Sequence, residues 1–278
     1  MLANVNGAEI YYERVGQGRP LLVMHGGLGL DHTYFRPYLD PLADDVELIY
    51  YDHRDNGRSS RSTDISAVSH ATWADDAEAL RQYLGLGRMV LLGHSYGGFL
   101  AQEYALKYGD HLDGLILSNT VAVVDYMPTI QANAAARGGP EQLVALGEAF
   151  GRPMNDAEDF RDMWRRLSPL YFHDYRPDLG EQMDAGAVYS AEAWNHVNAH
   201  LLPVFNTLDQ LAQISAPTLA LAGGDDWIMP LEQVQRLTDA LPNAEVVVFQ
   251  HSGHFPFIEE TDAYLTAVRA WLTQIRAA

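Results

Sequence analysis

The amino-acid sequence predicts an α/β protein, a mostly parallel sheet flanked by helices and carrying an inserted helical segment. Short apolar runs such as Pro20–Met24 and Val90–Leu92 alternate with longer stretches of helical periodicity, the pattern of a sheet buried on both faces. From about Val121 to about Leu211 this alternation gives way to helix-like segments with no convincing strand, and it then resumes. With 278 residues and 47% hydrophobic content the chain can bury one sizeable core. Residues 1–120 and 212–278 are therefore read as one core domain and 121–211 as a helical cap.

Taken in order, Ala8 to Val15 reads as a strand and Gly16-Gln17-Gly18 as a turn. Pro20–Met24 is a fully apolar strand that runs into the glycine-rich loop His25-Gly26-Gly27-Leu28-Gly29. A helix is expected near Thr33 to Leu42, then a strand over Val46 to Tyr51 closed by the polar turn Asp52–Ser59. Trp73 to Leu84 has helical spacing, with Asp75, Asp76 and Glu78 near its start, where the helix dipole favours acids. A strand ending near Gly93, a helix over Phe99 to Tyr108 and a strand over Leu112 to Leu117 complete the first half. After the inserted segment come a strand (Pro217 to Ala222), a helix (Leu231 to Leu241), a strand (Glu245 to Gln250) and a closing helix (Thr261 to Ile275).

Composition narrows function. A formal net charge of -19 argues against nucleic-acid or anionic-membrane partners, which need a basic face. The absence of cysteine excludes disulfides, thiolate catalysis and cysteine-ligated zinc. The first residues show no basic-then-apolar leader pattern, and no apolar run approaches the ~20 residues of a membrane helix, so a soluble cytoplasmic protein is expected.

The chemistry centres on Gly93-His94-Ser95-Tyr96-Gly97. A serine between strand and helix sits on a sharp turn that presents its hydroxyl, and the flanking glycines allow close backbone approach. A serine hydroxyl needs a base, and the base needs an orienting acid. Two carboxylates, Asp225 and Asp226, end the strand after the cap, and two histidines, His251 and His254, follow the last strand. Asp226 is preferred because it lies deeper in its loop, and His254 because it follows Gly253 at the loop apex. The order Ser95, Asp226, His254 places all three at carboxyl ends of strands. Backbone amides of Tyr96, after the nucleophile, and Gly27, in the glycine loop, are the candidate oxyanion donors. His251 and His254 lack a third ligand at motif spacing, so neither a metal nor a cofactor is expected. His94 and the remaining histidines read as surface or satisfied core residues.

These motifs resemble the α/β-hydrolase fold over nearly the whole chain, and within it the proline iminopeptidase group. The matching residues are His25-Gly26-Gly27, Asp52 with Arg54, Gly57-Arg58-Ser59, Gly93-His94-Ser95-Tyr96-Gly97-Gly98, Gly223 with Asp226, and Gly253-His254. The resemblance implies a helical cap and serine chemistry, with Ser95 as nucleophile, His254 as base, Asp226 as orienting acid and Gly27 with Tyr96 as oxyanion donors. Leu28 stands where that group often has proline, and Asp55 where it often has glycine. The group binds a free amino terminus with two glutamates; the corresponding places here hold Asn195 or its neighbour Trp194, and Trp227. A buried amine there lacks its charge partner, unless Glu181, Asp184 or Glu192 substitutes. The expected substrate is a small ester or lactone, in a pocket that includes Leu28, Trp194 and Trp227. Removal of an N-terminal residue from a short peptide is the alternative, and a non-catalytic ligand sensor on the same fold a third.

Overall fold

The computed structural model describes residues 1–277, with side chains through residue 275. Eight strands form one sheet: β1 (Leu2–Val5), β2 (Ala8–Val15), β3 (Pro20–Met24), β4 (Glu47–Tyr51), β5 (Met89–His94), β6 (Leu112–Ser118), β7 (Thr218–Gly223) and β8 (Ala244–Phe249). Their order is β1-β2-β4-β3-β5-β6-β7-β8. β2 pairs antiparallel with β1 and β4, and the other neighbours are parallel. Successive residues of a strand face opposite sides, so burial of every residue in β5 and β7 means that both faces of the sheet are covered. From β3 the chain steps to β4 on one side and later to β5 on the other, and this reversal opens a crevice at the carboxyl ends of the strands.

α1 (His70–Tyr83) and α2 (Tyr96–Tyr108) pack together, and α2 lies on β3, β5 and β6. Between β6 and β7 run α3 (Met127–Arg137), α4 (Pro140–Gly151), α5 (Ala157–Leu167), α6 (Pro177–Ala185) and α7 (Ala191–His196). α5 is the centre of this helical segment. Its buried residues Phe160, Met163, Trp164 and Leu167 recur at helical spacing, and the Asp156 side chain caps it by accepting the Glu158 and Asp159 amides. Phe160 packs on Tyr189 and Trp194, and Trp164 on Tyr171, so several aromatics of the segment form its own small core. α8 (Leu231–Ala240), α9 (Pro256–Glu259) and α10 (Thr261–Ala277) complete the chain.

The helix expected near Thr33 to Leu42 is instead two short 3-10 turns, His32–Phe35 and Asp40–Asp44. Pro37 supplies no N–H and pushes the preceding Arg36 out of helical backbone, to φ -97° and ψ 140°. β1 was not expected, because four residues are too few to show a period. α1 begins three residues before Trp73, where Ser69 and Thr72 form a reciprocal capping box. Among the described residues, no helix is long and apolar enough to cross a membrane.

Glu78 couples α1 to α2. It is 4% exposed and accepts hydrogen bonds from Arg81, Gln82 and the Tyr104 hydroxyl at 2.7–2.8 Å. Burial opposes its charge, but the Arg81 guanidinium and the other donors outweigh it and hold its pKa down at about 2. A carboxylate with a lowered folded pKa stabilises the fold above its unfolded value, here about 4.5, and that contribution disappears as pH falls through about 2. Glu78→Gln should therefore lower the melting temperature by roughly 3–6 °C at neutral pH. Thermal melts at successive pH values should show the gap to the parent closing over the acid range.

Candidate active site

Ser95 follows β5 with φ 55° and ψ -123°, and α2 begins at the next residue. Side chains rarely adopt this backbone, and its cost is met by close packing around the turn. A Cβ on Gly93 would lie 2.4 Å from the Gly97 carbonyl oxygen, and one on Gly97 would lie 2.2 Å from that of Met24. Only glycine fits at either place, so β3, β5 and α2 meet at backbone contact beneath the serine.

His254 Nδ1–H donates to Asp226 Oδ2 at 2.7 Å, leaving Nε2 as the ring nitrogen available to a reacting group. Asp226 is fully buried. Burial alone would raise its pKa, but the His254 imidazole, the Asn119 amide at 2.8 Å and the Met229 backbone N–H at 3.0 Å hold it below the usual value. The carboxylate stays ionised and acceptor-only, which sets the histidine tautomer. Asp225 instead faces outward and pairs with His173 and Arg137. His251 is exposed, with its ring 5.8 Å from that of His173.

β8 lies three places from β5, so the histidine loop must reach back across the end of β7. Gly223 makes the crossing possible, since a Cβ there would lie 1.7 Å from the Gly253 carbonyl oxygen. The loop is then held from several sides. Asn119 Nδ2 donates to the Gly253 carbonyl at 3.2 Å, and the His254 amide donates to the Tyr171 carbonyl at 2.6 Å. The Glu259 carboxylate accepts the Gly253 amide at 2.7 Å together with the amides of His173 and Asp174. Burial raises the Glu259 pKa despite those three donors.

His94 ties this loop to the glycine loop. Burial, with the nearby His254 ring, pushes its pKa well below the usual range, so it is neutral. Its Nε2–H donates to the His254 carbonyl at 2.9 Å, and its Nδ1 accepts the Tyr34 hydroxyl at 2.8 Å. The same hydroxyl accepts the Gly26 amide at 2.6 Å. The Gly26 amide is thereby occupied, while Gly27 (at φ 64°) and Tyr96 line the same cavity as Ser95. Behind the glycine loop, Asn56 Oδ1 accepts the Gly29 amide at 2.9 Å, and Arg54 pairs with Asp76 at 2.6 Å. Asp55 has φ 67°, a conformation that aspartate tolerates better than most residues, and its carboxylate accepts the Ser62 amide and hydroxyl.

Ser95, His254, Gly27 and Tyr96 line one cavity of about 80 Å3. It is also lined by Leu28, Phe99, Ile228 and Met229 and, from the segment between β6 and β7, by Trp164, Tyr171, Met183 and Trp194. Of the expected pocket residues, Leu28 and Trp194 line it and Trp227 does not. Asp226 explains the correction: its Oδ1 accepts the amides of both Ile228 and Met229, which turns the chain so that those two side chains face the cavity. Trp227 lies fully buried against Tyr171 and borders a separate recess with Asn133 and Arg137. Asn195 is also turned away, exchanging two 2.7 Å hydrogen bonds with the Met154 backbone. Sequence reasoning missed Asn119, His94 and Glu259 as supports. The position of Asn119 at a strand end, where the alternation breaks, was the one available signal.

Gly223→Ala should push the Gly253 carbonyl aside and displace His254. We expect kcat to fall about 10²-fold, the scale of a ~1 Å misplacement. The melting temperature should drop by only a few degrees, and steady-state kinetics beside a thermal melt will check both.

The chain matches the family model described as alpha/beta hydrolase fold over residues 19–261. It is 31% identical to a proline iminopeptidase of Lactobacillus helveticus (strain DPC 4571), over 96% of this chain and 95% of the relative. It is 29% identical to the proline iminopeptidase PfmaB of Pestalotiopsis fici, over 96% and 97%. Among solved structures, a thermophilic esterase from Thermogutta terrifontis matches with a TM-score of 0.73 and 26% identity, over 99% of this chain and 98% of that one. A full-length match in sequence and in fold identifies the chain as a hydrolase belonging to the α/β hydrolase fold family, in its proline iminopeptidase-like group.

Proposed function

We propose that this protein is a serine hydrolase that cleaves a small carboxylic ester or lactone through an acyl-enzyme intermediate. His254 Nε2 takes the proton of Ser95 as its Oγ attacks the carbonyl carbon. The resulting oxyanion accepts hydrogen bonds from the Gly27 and Tyr96 amides, aided by the positive end of the α2 dipole. Collapse breaks the bond to the alcohol, which leaves with the proton from His254. Water, deprotonated by the same imidazole, then attacks the acyl-enzyme; the acyl–Oγ bond breaks, Ser95 Oγ recovers the proton from His254, and the acid is released. Asp226 orients the imidazole and stabilises its charged form throughout.

One observation carries the choice of substrate class: among the described residues, no carboxylate lines the reaction cavity. Glu181 and Asp184 border a recess on the far side of Trp164, with Asp184 taken up by Arg161, Arg165 and Tyr189. Glu192 borders an outer groove. A substrate ammonium would be desolvated among apolar and aromatic side chains with no counter-charge, whereas a neutral ester incurs no such cost. Aminopeptidase action is the second reading, favoured by the names of the sequence relatives.

A paired assay tests the proposal, with a short-chain p-nitrophenyl ester and proline p-nitroanilide offered to the same preparation. Ester cleavage alone is expected; efficient anilide cleavage with a silent ester would overturn the reading. Ser95→Ala and His254→Ala should each lower kcat by more than about 10⁴. His251→Ala should leave kcat within about twofold of the parent, as expected for an exposed surface change.

A further inference from the structure

Gly253 and His254 have every main-chain polar group bonded, each to a different part of the fold. The Gly253 carbonyl accepts Asn119 Nδ2–H, the His254 amide donates to the Tyr171 carbonyl, and the His254 carbonyl accepts His94 Nε2–H. The fourth group, the Gly253 amide, donates to Glu259 Oε2 at 2.7 Å. Glu259 differs from the other three partners in being a carboxylate. Its second oxygen, Oε1, accepts the amides of His173 at 2.7 Å and Asp174 at 3.1 Å, in the segment between β6 and β7.

The two stretches joined in this way present like groups to each other. Gly253 is in main-chain contact with that segment, since a Cβ there would lie 2.5 Å from the Tyr171 carbonyl oxygen and 3.0 Å from the His173 nitrogen. The Gly253, His173 and Asp174 amides are all donors, and donors cannot bond to one another. A side chain that joins them must accept on two sides at once. An ionised carboxylate has only acceptors and does so; a carboxamide has one oxygen and one NH2, and its NH2 would meet an N–H on one side. The adjacent Glu260 makes a contrast. It accepts the His251 amide at 2.9 Å and the Ser252 hydroxyl at 2.7 Å, both within the histidine loop itself.

Stability does not account for the Glu259 carboxylate. Burial raises its pKa above the ordinary 4.5, so folding favours the neutral form, and the charge carries a stability cost that sets in as pH rises past that value. Local features that cost stability and persist point to function. Resting on the reading of His254 as the base, we propose that Glu259 is a positioning residue. By bridging Gly253 to His173 and Asp174 as an anion, it fixes the base against the cavity wall that Tyr171 forms.

Glu259→Gln and Glu260→Gln test this as a pair, since each removes one charge from adjacent positions. On a short-chain p-nitrophenyl ester at neutral pH, Glu259→Gln should lower kcat about ten- to a hundredfold with KM within about threefold of the parent. Glu260→Gln should leave kcat within about threefold. The melting temperature of Glu259→Gln should not fall, because the costly charge is gone. In 1H NMR spectra the downfield proton of the His254 Nδ1–H to Asp226 bond should move or broaden in Glu259→Gln and stay in place in Glu260→Gln. Glu259→Asp, which keeps the charge but is one methylene shorter, replaces Glu259→Gln if the latter does not fold. A lower melting temperature with kcat intact, equal losses of kcat in the two variants, or an unmoved His254 proton would overturn the proposal. The position of that proton decides the case in which kcat and melting temperature fall together. Labelling of Ser95 by a fluorophosphonate needs the base but no particular substrate, so its rate should fall by the same factor in Glu259→Gln. A parent protein that is labelled but does not cleave the ester would overturn the ester reading alone, and the labelling rates would still decide the role of Glu259.

Discussion

His94 donates to the backbone of the histidine loop with one ring nitrogen and accepts the hydroxyl of Tyr34 with the other, and Tyr34 in turn accepts the amide of Gly26. The chain of bonds runs in one direction only if the imidazole is neutral. Burial favours that state, because a charged ring would be desolvated. A fully satisfied polar network in a low-dielectric interior is rigid, and each bond is costly to break. The histidine loop and the glycine loop are thereby referred to the same residue, the immediate neighbour of Ser95. Preorganisation of this kind removes the need to reorganise dipoles as charge develops.

Charge is distributed to the same end. A single ionised group, Asp226, lies behind the histidine, and it is met by an imidazole, a side-chain amide and two backbone amides. Other acids are paired with arginines, as Asp76 is with Arg54 and Asp184 with Arg161 and Arg165, or held by hydrogen-bond donors, as Asp55 is by Ser62 and Glu259 by three backbone amides. The overall charge of -19 thus does not reach the cavity wall, which is aromatic and aliphatic. In such surroundings the few polar groups act strongly.

Glycine explains how loops so far apart in sequence converge. Gly93 and Gly97 allow strand and helix to touch beneath the serine, and Gly223 lets the histidine loop cross the end of β7. A side chain at any of these positions would collide with backbone, which cannot move aside. The shared motif is largely a record of such contacts, together with Asp52, which accepts the His32 and Arg58 amides, and Arg54, which pairs with Asp76.

Periodicity and turn chemistry are written in consecutive residues, so the alternating strands and helices, the all-helical character of the stretch between β6 and β7, and the strained turn at Ser95 are legible along the chain. The sequence also placed Asp226 and His254 at strand ends in the right order. Where proline overrode a helical pattern, as at Pro37, the local signal was present but underweighted. Which side chains share the cavity depends on packing across the fold. Trp227 follows Asp226 directly, yet two hydrogen bonds to that carboxylate turn Ile228 and Met229 inward in its place. Asn119, His94 and Glu259 became supports because β6, β5 and α9 end near loops more than a hundred residues away or on the far side of a turn. Such partnerships depend on distances through the folded core, and no local pattern of residues encodes them.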